Sequence, residues 1–187
     1  EGLNINNVNR FVEHHLLLAG NVSGKLEVQA NSFAFKDLIL HTDLSFLNVD
    51  AYNVKVPQGR VQGEIRNKTL SIRALQADVF QGKVAGSGNM VLSSEPNYQL
   101  ALEAQKVQLE PIMALIPQKP PVSGQVSGKI TANGAKFDLD TLVLEANLDA
   151  LNVKAYTVQA KTLNALVQIK NRVLALPKFA VQLFEGE

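Results

Sequence analysis

Displaced by 104 positions, the chain falls onto itself. Val22-Ser23-Gly24-Lys25 lies over Val126-Ser127-Gly128-Lys129, and Leu47-Asn48-Val49-Asp50-Ala51-Tyr52 lies over Leu151-Asn152-Val153-Lys154-Ala155-Tyr156 without a gap. From Gly20 to Lys83, 20 of 64 positions are identical, where ordinary composition gives roughly 5 by chance. Other positions exchange one apolar residue for another, as at Leu26/Ile130, Ile39/Val143 and Ile72/Leu176. A repeat of this length constrains the fold more than any single motif, because the same structure must be built twice and the copies stacked. The sequence divides into a first unit, 1–104, and a second, 105–187, continuing the same structure. The second copy stops at Phe184-Glu185-Gly186-Glu187, where the first runs on through Val84-Ala85-Gly86-Ser87-Gly88. The expectation is a section of a longer array.

Within each unit the dominant period is two. Tyr98, Leu100, Leu102 and Ala104 alternate with Gln99, Ala101 and Glu103; Leu163, Ala165, Val167 and Ile169 form another such line, as do Phe179, Val181 and Leu183. Phe137 and Leu139 lead, after a turn, into Leu142, Leu144, Ala146 and Leu148, and Ser71–Val79 carries Ile72 and then Leu75, Ala77 and Val79. Alternation of this kind describes strands apolar on one face and polar on the other. Turn residues punctuate the runs at Gly59, Asn67-Lys68, Gly82, Ser94-Glu95-Pro96-Asn97, Asn133-Gly134 and Asn171-Arg172. Asn-Gly favours a two-residue hairpin, since both residues tolerate positive φ.

Two stretches break the period. Asn9–Leu18 begins with a capping Asn and has Gly20 as a terminator; Glu110–Ile116 has Pro111 in its first turn and ends at Pro117. Each unit is therefore expected to open with a short helix. Gln118-Lys119-Pro120-Pro121 follows as a stiff, extended connector.

The fold class is mainly β: a curled, mostly antiparallel sheet with a short helix at the start of each unit. With about 8 strands per unit, each copy would add on the order of 40 Å of sheet. One apolar face must be covered. Curled on itself, the sheet forms an elongated hydrophobic groove; the alternative is a closed β-sandwich, with the apolar face as plain core.

Composition narrows the functions. Cysteine is absent, which excludes disulfides, thiolate metal sites and thiol catalysis. Eighteen basic against seventeen acidic residues provide no polycationic surface, so nucleic acid is not an expected partner. No apolar run approaches the length of a membrane span, and the chain opens at Glu1-Gly2-Leu3 without an export signal. Membrane contact would come through parts outside this stretch.

Residues in catalytic spacing are few. His14-His15 are adjacent rather than spaced to share a metal, and His41 has no partner at motif spacing. Asp138 and Asp140 would share a strand face, but the first copy has Ala34 and Lys36 there. Gly86-Ser87-Gly88 is not a phosphate loop, and no GxSxG or GxGxxG occurs. The reading is of a non-enzyme without cofactor or metal.

The string Leu75-Gln76-Ala77-Asp78-Val79-Phe80-Gln81-Gly82-Lys83-Val84-Ala85-Gly86-Ser87-Gly88, followed by Pro96-Asn97-Tyr98-Gln99-Leu100 and Val107-Gln108-Leu109-Glu110-Pro111-Ile112, resembles the recurrent pattern of AsmA-like proteins. This envelope family of Gram-negative bacteria and plastids includes AsmA and TamB. The resemblance implies a β-taco, a long groove with a hydrophobic interior, in a protein anchored in the inner membrane and extending through the periplasm. It implies phospholipid transport between inner and outer membrane in support of outer-membrane biogenesis, with assembly of outer-membrane β-barrel proteins as the alternative. Partners would be phospholipid acyl chains and an outer-membrane protein or assembly factor. The driving force is about 0.8 kcal/mol per methylene kept from water. The candidate groove residues, taken from the alternating runs, are Leu38, Leu40, Leu44, Val61, Ile65, Leu100, Leu102, Leu142, Leu144, Leu148, Leu163, Val167, Ile169, Val181 and Leu183.

Overall fold

A computed structural model describes residues 3–4, 18–30, 38–51, 54–136 and 138–184. Nearly all of them are strand. The elements are β1 (Leu3–Asn4), β2 (Leu18–Ala30), β3 (Leu38–Ala51), β4 (Val54–Arg66), β5 (Thr69–Val79), β6 (Gly82–Val91) and β7 (Asn97–Gln108). Helix α1 (Leu109–Met113) follows, and then β8 (Val122–Ala135), β9 (Val143–Ala155), β10 (Val158–Lys170) and β11 (Val173–Leu183). They form one 11-stranded sheet whose spatial order is the chain order, with every neighbouring pair antiparallel. The order is linear, so the sheet is open rather than closed into a barrel, and the described strands do not divide into the two sheets of a sandwich.

The register is the same at positions 104 apart. Leu3 pairs with Val22 as Val107 pairs with Val126, and Leu44 with Val61 as Leu148 with Ala165. Irregularities coincide as well. Asn48 and Asn152 take the left-handed conformation at φ 49° and 51°, beside Gly20 and Gly124 at φ 134° and 131°. A Cβ on Gly20 would lie 2.7 Å from the Asn48 carbonyl oxygen. Glycine is required at that close approach.

A second irregularity explains a phase slip in the sequence. Apolar residues of β5 fall at Leu70 and Ile72 and then at Leu75 and Ala77, a step of three. The pairing passes from Gln62↔Ala74 to Gly63↔Ile72, leaving Arg73 as an extra residue. Such a bulge returns the following side chains to the same face. In β11 the corresponding step lies opposite Leu166–Gln168, at Leu176-Pro177, where proline's missing N–H costs no ladder bond.

Strands of 10–14 residues, excepting the two of β1, are longer than the turn markers predict. Gly59 lies inside β4, and Asn133-Gly134 inside β8, where Asn133 pairs with Gln99 and Val143. The expected Asn-Gly hairpin is thus overridden by pairing on both sides. Asn67-Lys68 and Asn171-Arg172 do form two-residue turns with both φ positive, and Phe80-Gln81, rather than Gly82, makes the third. Six strands, β2 to β7, therefore precede the equivalent of β2, an advance of about 29 Å rather than 40.

Helix α1 is five residues long, shorter than the Glu110–Ile116 stretch, with turns carrying the chain on to Ile116. Lys119 adopts φ 42°, so the proline connector is not uniformly extended. The helix expected at Asn9–Leu18 lies outside the described residues, except that Leu18 opens β2; Gly20, its expected terminator, is inside that strand.

Candidate functional site: an uncovered apolar face

Pairing register carries the alternation across the whole sheet. One row runs Leu44, Val61, Leu75, Gly86, Leu102, Ile130, Ala146 and Val167 from β3 to β10; the next holds Leu100, Ala132, Leu144, Ile169 and Leu174. From β2 to β11 these rows span about 43 Å. The opposite face presents Asp43, Arg60, Gln62, Glu64, Gln76, Lys83 and Glu103 in the alternate positions.

Among the described residues no element forms a second layer over the apolar rows. Strands pack against their sheet neighbours, and α1 touches only β8 appreciably. Accessible surface totals 13103 Å², about 1.5 times the roughly 8,800 Å² expected of a compact monomer of this mass. Among the described residues the buried apolar set is Val107, Ala146, Ala150, Val153, Ala160 and Ala165, and no large side chain is fully buried. Leu26 is 60% exposed, Phe179 59% and Leu100 39%. Among the described residues the sheet thus leaves a contiguous greasy surface far wider than a monomer ordinarily shows.

Lateral packing replaces the missing layer in part. Leucines lie down over glycines of the adjacent strand: a Cβ on Gly86 would fall 2.5 Å from Leu102 Cδ2, and one on Gly88 2.6 Å from Leu100 Cδ2. Near the repeated bulge, Ala150, Val153 and Ala160 cluster with Val122, Val126 and Leu163. Val153 and Ala150 share a face despite being three apart, because Asn152 supplies the extra residue.

The candidate residues Leu40, Leu44, Val61, Ile65, Leu100, Leu102, Leu144, Leu148, Leu163, Val167, Ile169, Val181 and Leu183 all occupy this face by register. Leu38 pairs with Ala30 in line with them; its side chain is outside the described set. Leu142 precedes β9 and sits in the loop instead. Leu26, Val28, Leu70, Ile130 and Leu174, outside the groove candidates, fill the same rows, as do Leu75 and Phe179, which the alternating runs contain but the candidate set omits. The phase slips at the bulges hid several of them.

Measurable hollows open on the polar side. One of about 720 Å³ is lined by Ser45, Arg60, Gln76, Asp78, Ala85 and Gln105, among others. Leu100 is the one candidate residue that lines any of the described hollows, a shallow one beside Gln99 and Asn133.

Polar chemistry is that of a solvated sheet. Arg60 donates to both Asp43 oxygens at 2.7 and 2.6 Å, and Gln62 Nε2 donates at 2.9 Å. These bonds, the arginine's first, hold the Asp43 carboxyl down at about 2. His41 lies opposite Glu64 across the β3–β4 ladder, with Nδ1 3.5 Å from the carboxylate, which also takes Arg73. Asp138 and Asp140 are in a turn before β9, not on a strand face. Asp138 Oδ1 accepts from the Asp140 N–H, and Asp140 pairs with Arg172. Among the described residues no group of three His, Asp or Glu could hold a metal, and no helix is long and apolar enough to cross a membrane.

No protein-family model, characterised protein or solved structure matches the chain.

Proposed function

We propose that the uncovered face is completed by acyl chains, and that the chain is a section of an AsmA/TamB-like bridge in the periplasm. In this reading the parent protein is anchored in the inner membrane and conducts or shields phospholipid tails between inner and outer membrane, supporting outer-membrane biogenesis. The observation that carries it is the open sheet with continuous apolar rows and, among the described residues, no element over them. A lipid tail gains about 0.8 kcal/mol for each methylene withdrawn from water, and needs no directional partner from Leu, Val and Ile. Headgroups remain at the polar rim. The register of 104-residue copies supports a surface that extends by addition, as a conduit requires. The groove is the concave form this sheet takes around its lipid.

A second reading, a scaffold for outer-membrane β-barrel assembly, draws on β11, whose eleven residues are all exposed and whose outer edge pairs with none of the described strands. Such an edge accepts an added strand.

Native mass spectrometry after gentle extraction tests the first reading: phospholipid should remain with the chain and be lost in Leu144→Asp and Ile169→Asp. A lipid-free chain that takes up none from vesicles, and a face equally inert in both variants, overturns it. Crosslinks from β11 to an unfolded client strand would favour the scaffold.

A further inference from the structure

At the turn end of β4 to β7, a cavity of about 1070 Å³ opens between the sheet and α1. Its wall carries three ammonium groups, Lys55, Lys83 and Lys106. Among the described residues none of the three enters an ion pair. The one carboxylate in the wall, Asp78, stands opposite Lys83 in the hairpin but accepts from Gln58 Nε2 at 2.7 Å. Positive charge is therefore in excess. Lys106 is fixed in the lining by its left-handed backbone, φ 52°, and by its N–H, which donates to Ser127 Oγ at 2.9 Å.

The remainder of the wall is apolar: Val79 and Phe80 from the β5–β6 hairpin, Pro111, Ala114 and Leu115 from α1 and the turn after it. Leu115 is 43% exposed. The volume lies just above the range of about 300–1,000 Å³ typical of small-molecule sites. Lysines present point charges suited to carboxylate or phosphate, and an apolar wall beside them suits a tail. Phe80 is the sole aromatic in the lining, so there is no pair of rings to clasp a base. The lining draws on both copies, and in the second the position equivalent to Lys55 is Gln159.

We infer that this cavity is a site for a single-chain anionic amphiphile, its carboxylate or phosphate headgroup among Lys55, Lys83 and Lys106 and its tail against Phe80 and Leu115. The site stands apart from the apolar face and does not depend on the conduit reading.

Calorimetric titration with palmitate below its aggregation threshold tests it, with inorganic phosphate and the neutral detergent dodecyl maltoside as separate arms. Palmitate should show one tight site per chain, set apart from any weaker uptake on the apolar face, with both other probes weaker by at least tenfold at that site. The double variant Lys83→Gln/Lys106→Gln should weaken palmitate by roughly tenfold or more, the loss of one or two charge-assisted contacts. Leu115→Gln should also weaken it, while Ile169→Asp, on the apolar face, should not. Unchanged affinity in the double lysine variant overturns the inference. So does dodecyl maltoside binding as tightly as palmitate, or inorganic phosphate doing so. Loss of palmitate binding in Ile169→Asp with retention in the lysine variant assigns the ligand to the face and refutes the cavity site.

Discussion

Truncating Phe179 distinguishes an open apolar face from a hidden core. Its ring pairs beside Ala165 on β10 and is 59% exposed, so about two-fifths of it is covered. Full burial of a phenylalanine is worth roughly 1.5–3 kcal/mol; the covered share is then about 0.6–1.2 kcal/mol. Phe179→Ala should therefore destabilise the chain by about 1 kcal/mol, whereas removal from a closed core costs about 3–5 kcal/mol. Because β11 is an edge strand, the same measurement is needed in mid-sheet. Leu100 on β7 is 39% exposed, and the same proportion gives an upper bound of about 0.9–1.8 kcal/mol for Leu100→Ala, against about 2.7–5 for a fully enclosed leucine. Urea unfolding followed by far-ultraviolet circular dichroism reads both, with midpoint shifts of at most about 1.8 M even at a slope of about 1 kcal/mol/M. Losses of 3 kcal/mol or more at both positions would mean that a second layer covers the face in the free chain, and the reasoning from exposure would be refuted.

Four further outcomes follow from particular contacts. Leu144→Asp and Ile169→Asp should abolish lipid retention while leaving the circular dichroism spectrum unchanged; a spectrum of unfolded chain would place these residues in a true core. Gly86→Val should cost about 1–3 kcal/mol, as overpacking does, because Leu102 Cδ2 and the Ala101 carbonyl occupy the space. Thermal melting checks this, and an unshifted midpoint would show that the leucine does not lie over the glycine. Asn152→Gly should be tolerated at the left-handed φ of 51°, but Asn152→Val should lose about 1–2 kcal/mol through backbone strain. Finally, the Asp43 carboxyl should titrate at about 2, below its ordinary value near 3.9. Its depressed value favours the folded state above pH of about 4, and that contribution disappears as pH falls through about 2. Carbon-detected NMR of the carboxyl follows it, and Arg60→Ala should return the midpoint toward the ordinary value.

Strand content and the apolar rows were legible because alternation survives wherever pairing is regular, as along Tyr98–Ala104 and Leu163–Ile169. The boundaries were not. Asn133-Gly134 has the chemistry of a turn, yet Gln99 and Val143 pair with Asn133 from either side, and two ladders outweigh one local preference. Gly59 marks the place where the Phe46 ring lies across the sheet, information held by a strand neighbour rather than by the local sequence. Phase slips at Arg73 and Asn152 look like lost periodicity until the register shows them as bulges. Identity between the copies carried a clue to this. It concentrates at Leu47–Tyr52 and Leu151–Tyr156, where left-handed backbone, a close glycine and the face reversal coincide. The lysine-lined cavity had no such signal, because Lys55, Lys83 and Lys106 are brought together only by the order of the strands.

That strand order also governs how the molecule is made. With every ladder joining consecutive segments, no pairing waits for a distant part of the chain, and loop-closure entropy stays small at each step. The sheet can thus zip from its N-terminal strands as they leave the ribosome, each finished strand templating the next. Duplication of a 104-residue segment inserts six more rungs at the same phase and leaves the existing ladders intact. Length becomes a quantity that gene duplication adjusts without redesigning a core.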